Sequence, residues 1–471
     1  MNILLADTPA LEKSYDASYP NLGLLYLAGY LREHVKTPDL KVQYLGPQHT
    51  LKSHLEFVKN FRPDIYGLSF TSKTAGLAYR TIEAVKTSHP GTLVVCGGAH
   101  ATALPAEVIA YSLADICVIG EGEVTFSEIV NAAANNSGDF SKIAGTAVSG
   151  NGAVEFNQPR PFIADLDQIP IPAWDLIDFT SYPGMHLKKQ PIESSMLISR
   201  GCPYDCAFCS NPVWKSAKPW LRHRSIENIC REVDYLYSRG VREIYMTSDE
   251  LNFDEKWAIE LCKAITKLNY KDLFFQCNMR ADKVSDELAA SLAAMNCWLV
   301  HLGIESANDR VLEGIGKHIT VAQVKNATQV LSRAGIRVFA FMMLYQVWEE
   351  NGILNFESHE EVNNSMRIMR ELYNKGHIHY MSWQFATPMP GSRLFKIAQK
   401  HNLFRGDPNK VFEMLFDEHD IAMDIPGLSE KSMRWKLKKG ILLKDWFMIR
   451  SGAISLRHLW RVRENIIALI R

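Results

Sequence analysis

The sequence predicts an α/β protein in two halves: a doubly wound parallel sheet, then a partial (β/α)6 barrel of the TIM type, closed by a helical C-terminal region. Three observations predict it. Short apolar runs alternate with helical patterns from the start to about residue 150. A Pro-interrupted stretch then breaks the alternation, and six longer strand–helix units follow it. At 471 residues the chain also exceeds one ordinary core. Strict alternation means right-handed crossovers and parallel strands.

The first half reads as strands over 2–6, 41–45, 64–69, 92–96 and 115–119, with helices over 22–33, 54–60 and 75–87. The fourth strand runs into Gly97-Gly98 and the fifth into Gly120-Glu121-Gly122-Glu123. Pro170, Pro172 and Pro183 mark 151–189 as an ordered linker between a domain over 1–150 and a barrel over 190–400. Barrel strands are expected over 195–199, 243–247, 273–278, 298–304, 338–344 and 380–386. Chemistry in such barrels sits on the loops that follow the strands.

The formal net charge of +0 gives no global case for nucleic acid. The first residues lack a signal peptide's basic start and cleavage site, and no long uncharged apolar run occurs, so a cytoplasmic protein is expected. Residues 401–471 form a C-terminal helical, basic region. Within it, 431–471 carry eleven Lys/Arg against Asp445 and Glu464, with Trp435, Trp446, Phe447 and Trp460 interleaved. That segment reads either as a solvated helical cap or as an amphipathic membrane-surface or lipid-substrate element.

Nine cysteines make an odd number in a long chain, which argues against a disulfide framework. Cys96, Cys117, Cys230, Cys262, Cys277 and Cys297 are scattered and read as small buried hydrophobes. Cys202, Cys206 and Cys209 stand together behind the first barrel strand, spaced C-x3-C-x2-C. Soft thiolates this close can wrap one metal centre. Structural zinc needs four ligands, and the nearest further candidate is His223. Three thiolates instead leave one iron of a [4Fe-4S] cube open, where S-adenosylmethionine can chelate. Phe208 would shield the cluster.

This loop resembles the signature of the radical SAM superfamily. The resemblance implies reductive cleavage of S-adenosylmethionine to a 5′-deoxyadenosyl radical, with an electron donor such as flavodoxin or ferredoxin. It extends to Ser248, Asp249 and Glu250 after the second strand, which imply recognition of the cofactor's amino group. Arg280 after the third strand resembles the segment near its carboxylate, and Glu305-Ser306 after the fourth resembles the ribose motif. Taken alone, Arg280 or Glu305 reads as a structural ion pair. After the fifth strand, Leu344-Tyr345-Gln346-Val347-Trp348 departs from the family's Gly-rich turn. Thr387-Pro388-Met389-Pro390-Gly391-Ser392 again looks like the family's ending.

In the first half, hydroxyls at one strand end (Ser69, Thr71) and bare glycines at the next (Gly97, Gly98) could admit a nucleotide tail. With Ala99, His100, Gly120, Glu121, Gly122, Glu123 and Thr125, and with Pro20-Asn21-Leu22-Gly23-Leu24, they resemble Rossmann-like cobalamin-binding domains fused ahead of radical SAM barrels. The Asp-x-His-x-x-Gly motif is absent: Thr8-Pro9 follows Asp7, so no imidazole is supplied there. The resemblance as a whole implies methylation of an unactivated carbon, or phosphorus, in a small-molecule or lipid-like substrate. Two alternatives stand beside it. One is oxidative cyclisation or oxygen insertion, as in the anaerobic magnesium-protoporphyrin monomethyl ester cyclase. The other is a vestigial cobalamin fold serving as a partner-binding module.

Overall fold

The computed structural model describes residues 1–10, 18–135, 139–150, 153–414 and 419–452. Its first half alternates as expected: β1 (Asn2–Asp7), α1 (Leu22–His34), β2 (Lys41–Leu45), α2 (Leu51–Phe61), β3 (Ile65–Ser69), α3 (Ala75–Ser88), β4 (Leu93–Gly97), α4 (Ala99–Ala103), α5 (Pro105–Tyr111), β5 (Ile116–Val118), α6 (Glu123–Ala134), β6 (Thr146–Ser149) and β7 (Val154–Phe156). The sheet order is β2-β1-β3-β4-β5-β6-β7. The first five strands are parallel, and β6 and β7 extend the edge antiparallel. Apolar residues on successive positions of β1 face opposite layers. Ile3 and Leu5 pack with α1 and α6, while Leu4 and Ala6 pack with α2 and α3. Burial on both faces explains the near-continuous apolar run.

Two details differ from the sequence pattern. Helix α2 begins at Leu51, because the Thr50 hydroxyl accepts from the Ser53 amide at 3.3 Å and caps the first turn. The β6–β7 hairpin straddles residue 150, so the first sheet continues to Phe156. Its strands are too short for alternation to reveal.

The second half holds β8 (Glu193–Leu197), β9 (Ser199–Arg200), β10 (Arg222–His223), α7 (Ile226–Ser238), β11 (Glu243–Thr247), α8 (Glu255–Lys267), β12 (Phe274–Met279), α9 (Asp286–Ala294), β13 (Cys297–Glu305), α10 (Asp309–Gly314), α11 (Val321–Arg333), β14 (Arg337–Leu344), β15 (Val347–Glu350), β16 (Ile353–Phe356), α12 (His359–Asn374), β17 (Tyr380–Phe385), α13 (Arg393–Lys400) and α14 (Glu430–Arg450). Six parallel strands run in the order β17-β14-β13-β12-β11-β8, an open partial barrel. The departure after the fifth strand is a hairpin of β15 and β16. Helix α14 lies against β17. A Cβ at Gly440 would come within 2.7 Å of the Trp383 ring, so only glycine lets the helix approach so closely. Among the described residues, no helix is long and apolar enough to cross a membrane.

Candidate functional site

The chain passes from β1 to β2 on one side and to β3 on the other. The sheet order therefore reverses between β1 and β3, and a crevice opens beyond their C-terminal ends. Asn21 shapes its rim. As N-cap of α1 it accepts from the Leu24 amide, and its side-chain amide donates to Asp7 Oδ1 at 2.8 Å. Tyr44 donates to the other Asp7 oxygen at 2.7 Å. Burial lifts the Asp7 carboxyl to about 6 despite these two bonds.

Between this crevice and the barrel mouth lies a cavity of about 820 Å³. The first sheet contributes Ser69, Gly97, Gly98, Gly120, Glu121, Gly122 and Glu123, and the 20–24 segment lines it as well. The barrel contributes Ser195, Tyr245, Ser248, Asp249 and Asn278. A Cβ at Gly97 would meet nothing within 4 Å, so this glycine faces open cavity. Gly98 is different. Its φ of +95° and a would-be Cβ 2.8 Å from Phe70 O make it a close-packing glycine. The bare backbone over Gly97 fits a flat, bulky ligand resting on the strand ends.

Four of the residues expected around the corrin do not line this cavity. His100 is fully buried, with Nε2 3.0 Å from Glu107 Oε1 and Nδ1 3.0 Å from the Ser72 hydroxyl. Both ring nitrogens are occupied, leaving none for a metal. Thr125 donates to Ala144 O at 3.2 Å and accepts from Arg160 Nε at 2.8 Å, holding its own loop. Thr71 is exposed beside Thr74, and Ala99 begins α4. Glu121 and Glu123 touch the cavity edge but are bound to the barrel. Arg222 meets both Glu121 oxygens at 2.5 and 3.0 Å, and Arg200 reaches Glu123 at 2.6 Å. These paired charges dock the first sheet onto the strand that leads into the cysteine loop.

That loop begins at Gly201, whose φ is +88° and whose Cβ position lies 2.0 Å from Trp220 O. Backbone bonds then fix it from two later segments: Ala207 N donates to Ile315 O at 2.7 Å, and Leu394 N to Ala207 O at 2.8 Å. Arg393 donates to Asp205 O at 3.0 Å. Phe208 packs against Ala207, Val311, Ile315 and Trp348. Trp348 and Tyr345, in the segment that departs from the family's turn, are buried packing residues.

All three loop cysteines are free thiols. Burial pushes Cys202 up to about 12 and Cys209 up to about 11. Burial also raises Cys206, against the opposing pull of Lys317 and Arg280. Buried thiols of this kind ionise when a cationic centre supplies compensating charge. Among the described residues no three His, Cys, Asp or Glu side chains converge as around a single ion. An iron–sulfur cube is several atoms across and takes its thiolates from farther apart, so the donor set suits a cluster.

Around the loop, Ser248 Oγ and Glu250 Oε1 are buried without hydrogen-bond partners. Burial lifts Glu250 to about 8 and raises Asp249. Orphaned buried acceptors of this kind fit a ligand that brings its own donors. Glu305 has a φ of +68°, just past a register shift in β13, which turns its carboxylate to Lys317 Nζ at 3.3 Å. Lys317 is itself buried, and Gly303 leaves room for the pair, since its Cβ would lie 2.8 Å from both groups. Sequence reasoning missed Lys317, Arg200 and Arg222; no local pattern marks a lone cation that pairs far along the chain. Arg280 is committed to Asp282 at 2.9 Å and to Lys317 O at 2.6 Å. Ser306 donates to Glu357 at 2.8 Å and is fully buried away from the cavity.

Residues 196–358 match the radical SAM superfamily model, and residues 12–130 match the B12 binding domain model. Over 461 residues, 95% of each chain, the sequence is 32% identical to an uncharacterized methyltransferase of Pyrococcus horikoshii. The chain belongs to the cobalamin-dependent radical SAM methyltransferase family. Its cofactors are thus a [4Fe-4S] cluster, S-adenosylmethionine and cobalamin. This radical SAM chain is also 27% identical to the anaerobic magnesium-protoporphyrin IX monomethyl ester cyclase of Rubrivivax gelatinosus, over 87% of this chain and 70% of that one. Its fold is shared with the radical S-adenosylmethionine methyltransferase TsrM of Kitasatospora setae, at a TM-score of 0.70 and 16% identity over 97% of this chain and 91% of that one. The cobalamin-dependent radical enzyme OxsB aligns at a TM-score of 0.66 and 18% identity over 87% and 63%.

Proposed function

We propose that this enzyme methylates an unactivated carbon, or a phosphorus, of a small-molecule or lipid-like substrate. The observation that carries the reading is the single cavity of about 820 Å³ shared by the ends of both sheets, which joins a bare glycine floor at Gly97 to the Asp249 side of the cysteine loop. When bound, the cluster with S-adenosylmethionine supplies hydrogen abstraction, and methylcobalamin supplies the methyl group.

In this reading Cys202, Cys206 and Cys209 hold the cluster. Ser248, Asp249 and Glu250 receive the ammonium and hydroxyl donors of S-adenosylmethionine, because Ser248 and Glu250 each hold a buried, unsatisfied polar atom and Asp249 opens onto the cavity. Arg280, Glu305 and Lys317 fix the charge at that edge. Gly97 and the 20–24 segment carry the corrin, with no imidazole offered from the Asp7 turn. Tyr245 and Asn278, joined by a 2.7 Å hydrogen bond, face the cavity where substrate would sit between the two cofactors. A flavodoxin- or ferredoxin-type donor provides the electron. The basic C-terminal region makes peripheral membrane contact.

The test is anaerobic turnover of reconstituted enzyme with methyl-deuterated S-adenosylmethionine and a metabolite extract. One product gaining a labelled methyl group is expected. A product gaining oxygen, or no 5′-deoxyadenosine under reductant, overturns the reading.

A further inference from the structure

Helix α14 buries one face (Met433, Leu437, Gly440, Leu443, Phe447) against β17 and α12. Its other face carries Trp435, Lys439, Leu442, Trp446 and Arg450, spaced three or four residues apart and therefore in one stripe. Three of these are large and exposed: Trp435 at 55%, Leu442 at 39% and Trp446 at 44%. Lys439 lies over the Trp435 ring at 5.5 Å and Arg450 over Trp446 at 4.9 Å, so each ring stands beside a cation. Between α14 and α12 runs a groove of about 690 Å³, with Met366, Leu442 and Trp446 as apolar walls and Arg367, Arg370 and Lys439 as its charges.

Among the described residues, no carboxylate lines this groove. Two acids on these helices are engaged elsewhere: Glu371 pairs with Lys375 at 2.8 Å and stands 4.0 Å from Arg367, and Asp445 is buried beside Lys444 at 3.5 Å. Burial and the neighbouring Lys439 both lower the Lys436 ammonium, as crowded like charges do. Charge decides what can sit here. A second copy docked groove to groove would bring the same cations together. The chain's own residues 453–471 carry Arg457, Arg461, Arg463 and Arg471 against Glu464 alone, a net charge of the same sign as the groove. An occupant must be anionic and also offer an apolar layer beside its charges.

We propose that the α12–α14 groove seats the enzyme on an anionic phospholipid bilayer, with Leu442 and Trp446 entering the interface and Arg367, Arg370 and Lys439 meeting headgroup phosphates. This rests on the membrane-contact part of the reading above and narrows it to one surface. Methyl transfer is judged by product mass and membrane seating by binding, so either can fail without the other.

The experiment is co-sedimentation of the full chain with phosphatidylcholine vesicles, with and without phosphatidylglycerol. Binding is expected only with phosphatidylglycerol, weakening as salt rises, with a blue shift of tryptophan emission. Arg367→Gln with Arg370→Gln should weaken binding about fivefold for each cation removed. Trp446→Ala should abolish the emission shift. These side chains are exposed, so unchanged thermal midpoints will show that the variants fold. Equal binding to neutral vesicles overturns the proposal. So does binding unchanged in the groove variants but lost on Arg457→Gln, Arg461→Gln and Arg463→Gln. A concentration-dependent dimer that the groove variants dissociate, without vesicle binding, also overturns it.

Discussion

Single residues in this protein earn their place by what a neighbouring backbone allows. Gly201 starts the cysteine loop at a positive φ with Trp220 O filling its Cβ position. Gly201→Ala should therefore cost at least about 2 kcal/mol, from the left-handed backbone and the clash together. Anaerobic thermal melting would show it, and an unchanged midpoint would count against this geometry. Gly97 is the opposite case, because its Cβ position is open. Gly97→Phe should leave the melting temperature nearly unchanged while greatly lowering cobalt retained by the purified protein. Lys317 is a third kind. It is buried against Glu305 with Glu250 and Cys206 nearby. Lys317→Met should destabilise by about 3 kcal/mol, because a buried carboxylate loses its partner, measured as a shift in the urea midpoint.

Among the elements, the β9–β10 pair and the 120–123 loop form a charged contact between the halves. Arg222 is nearly buried and bidentate to Glu121, so Arg222→Ala leaves Glu121 to Arg200 alone. A loss of about 2 kcal/mol is expected. Limited proteolysis should cut the 157–190 stretch faster in the variant, and equal cleavage rates would argue that apolar contacts alone hold the halves. Sequence alternation found the strands on either side of this contact but not the contact itself. Two glutamates beside glycines look like a ligand loop until their partners, 101 and 77 positions away, are in place.

The whole molecule is tied together beneath the barrel by a buried polar network. Tyr19 donates to Glu193 at 2.6 Å, and Gln276 donates to Glu193 at 3.2 Å and to Glu243 at 2.7 Å. Trp298 donates to Glu243 at 2.7 Å. Burial raises Glu193 from 4.5 to about 7. The folded chain thus keeps this proton in a range where the unfolded chain has released it. Below about pH 4.5 both states are protonated and Glu193 costs nothing. Between about 4.5 and 7 stability falls as pH rises, and above 7 the loss, about 3 kcal/mol, is complete. Glu193→Gln should remove that part of the decline, read as the difference in unfolding free energy between pH 5 and pH 8. Identical pH dependence in the two proteins would refute the assignment.

By itself the sequence determined the α/β alternation, the open six-stranded barrel and the three clustered cysteines. Each of these is written locally, in period, spacing or residue type. It also marked Gly97 and Gly98 as bare backbone, of which only Gly97 has open space beside it. Only the tertiary structure decided that His100, Thr125 and Ser306 spend their polar atoms on internal partners, and that Glu121 and Glu123 hold the barrel. It alone brought Lys317 to the cysteine loop and lined up cations along the α12–α14 groove. The physical reason is that a polar side chain's role depends on which partner reaches it first. Those partners lie on other elements, and only packing brings them within hydrogen-bonding distance.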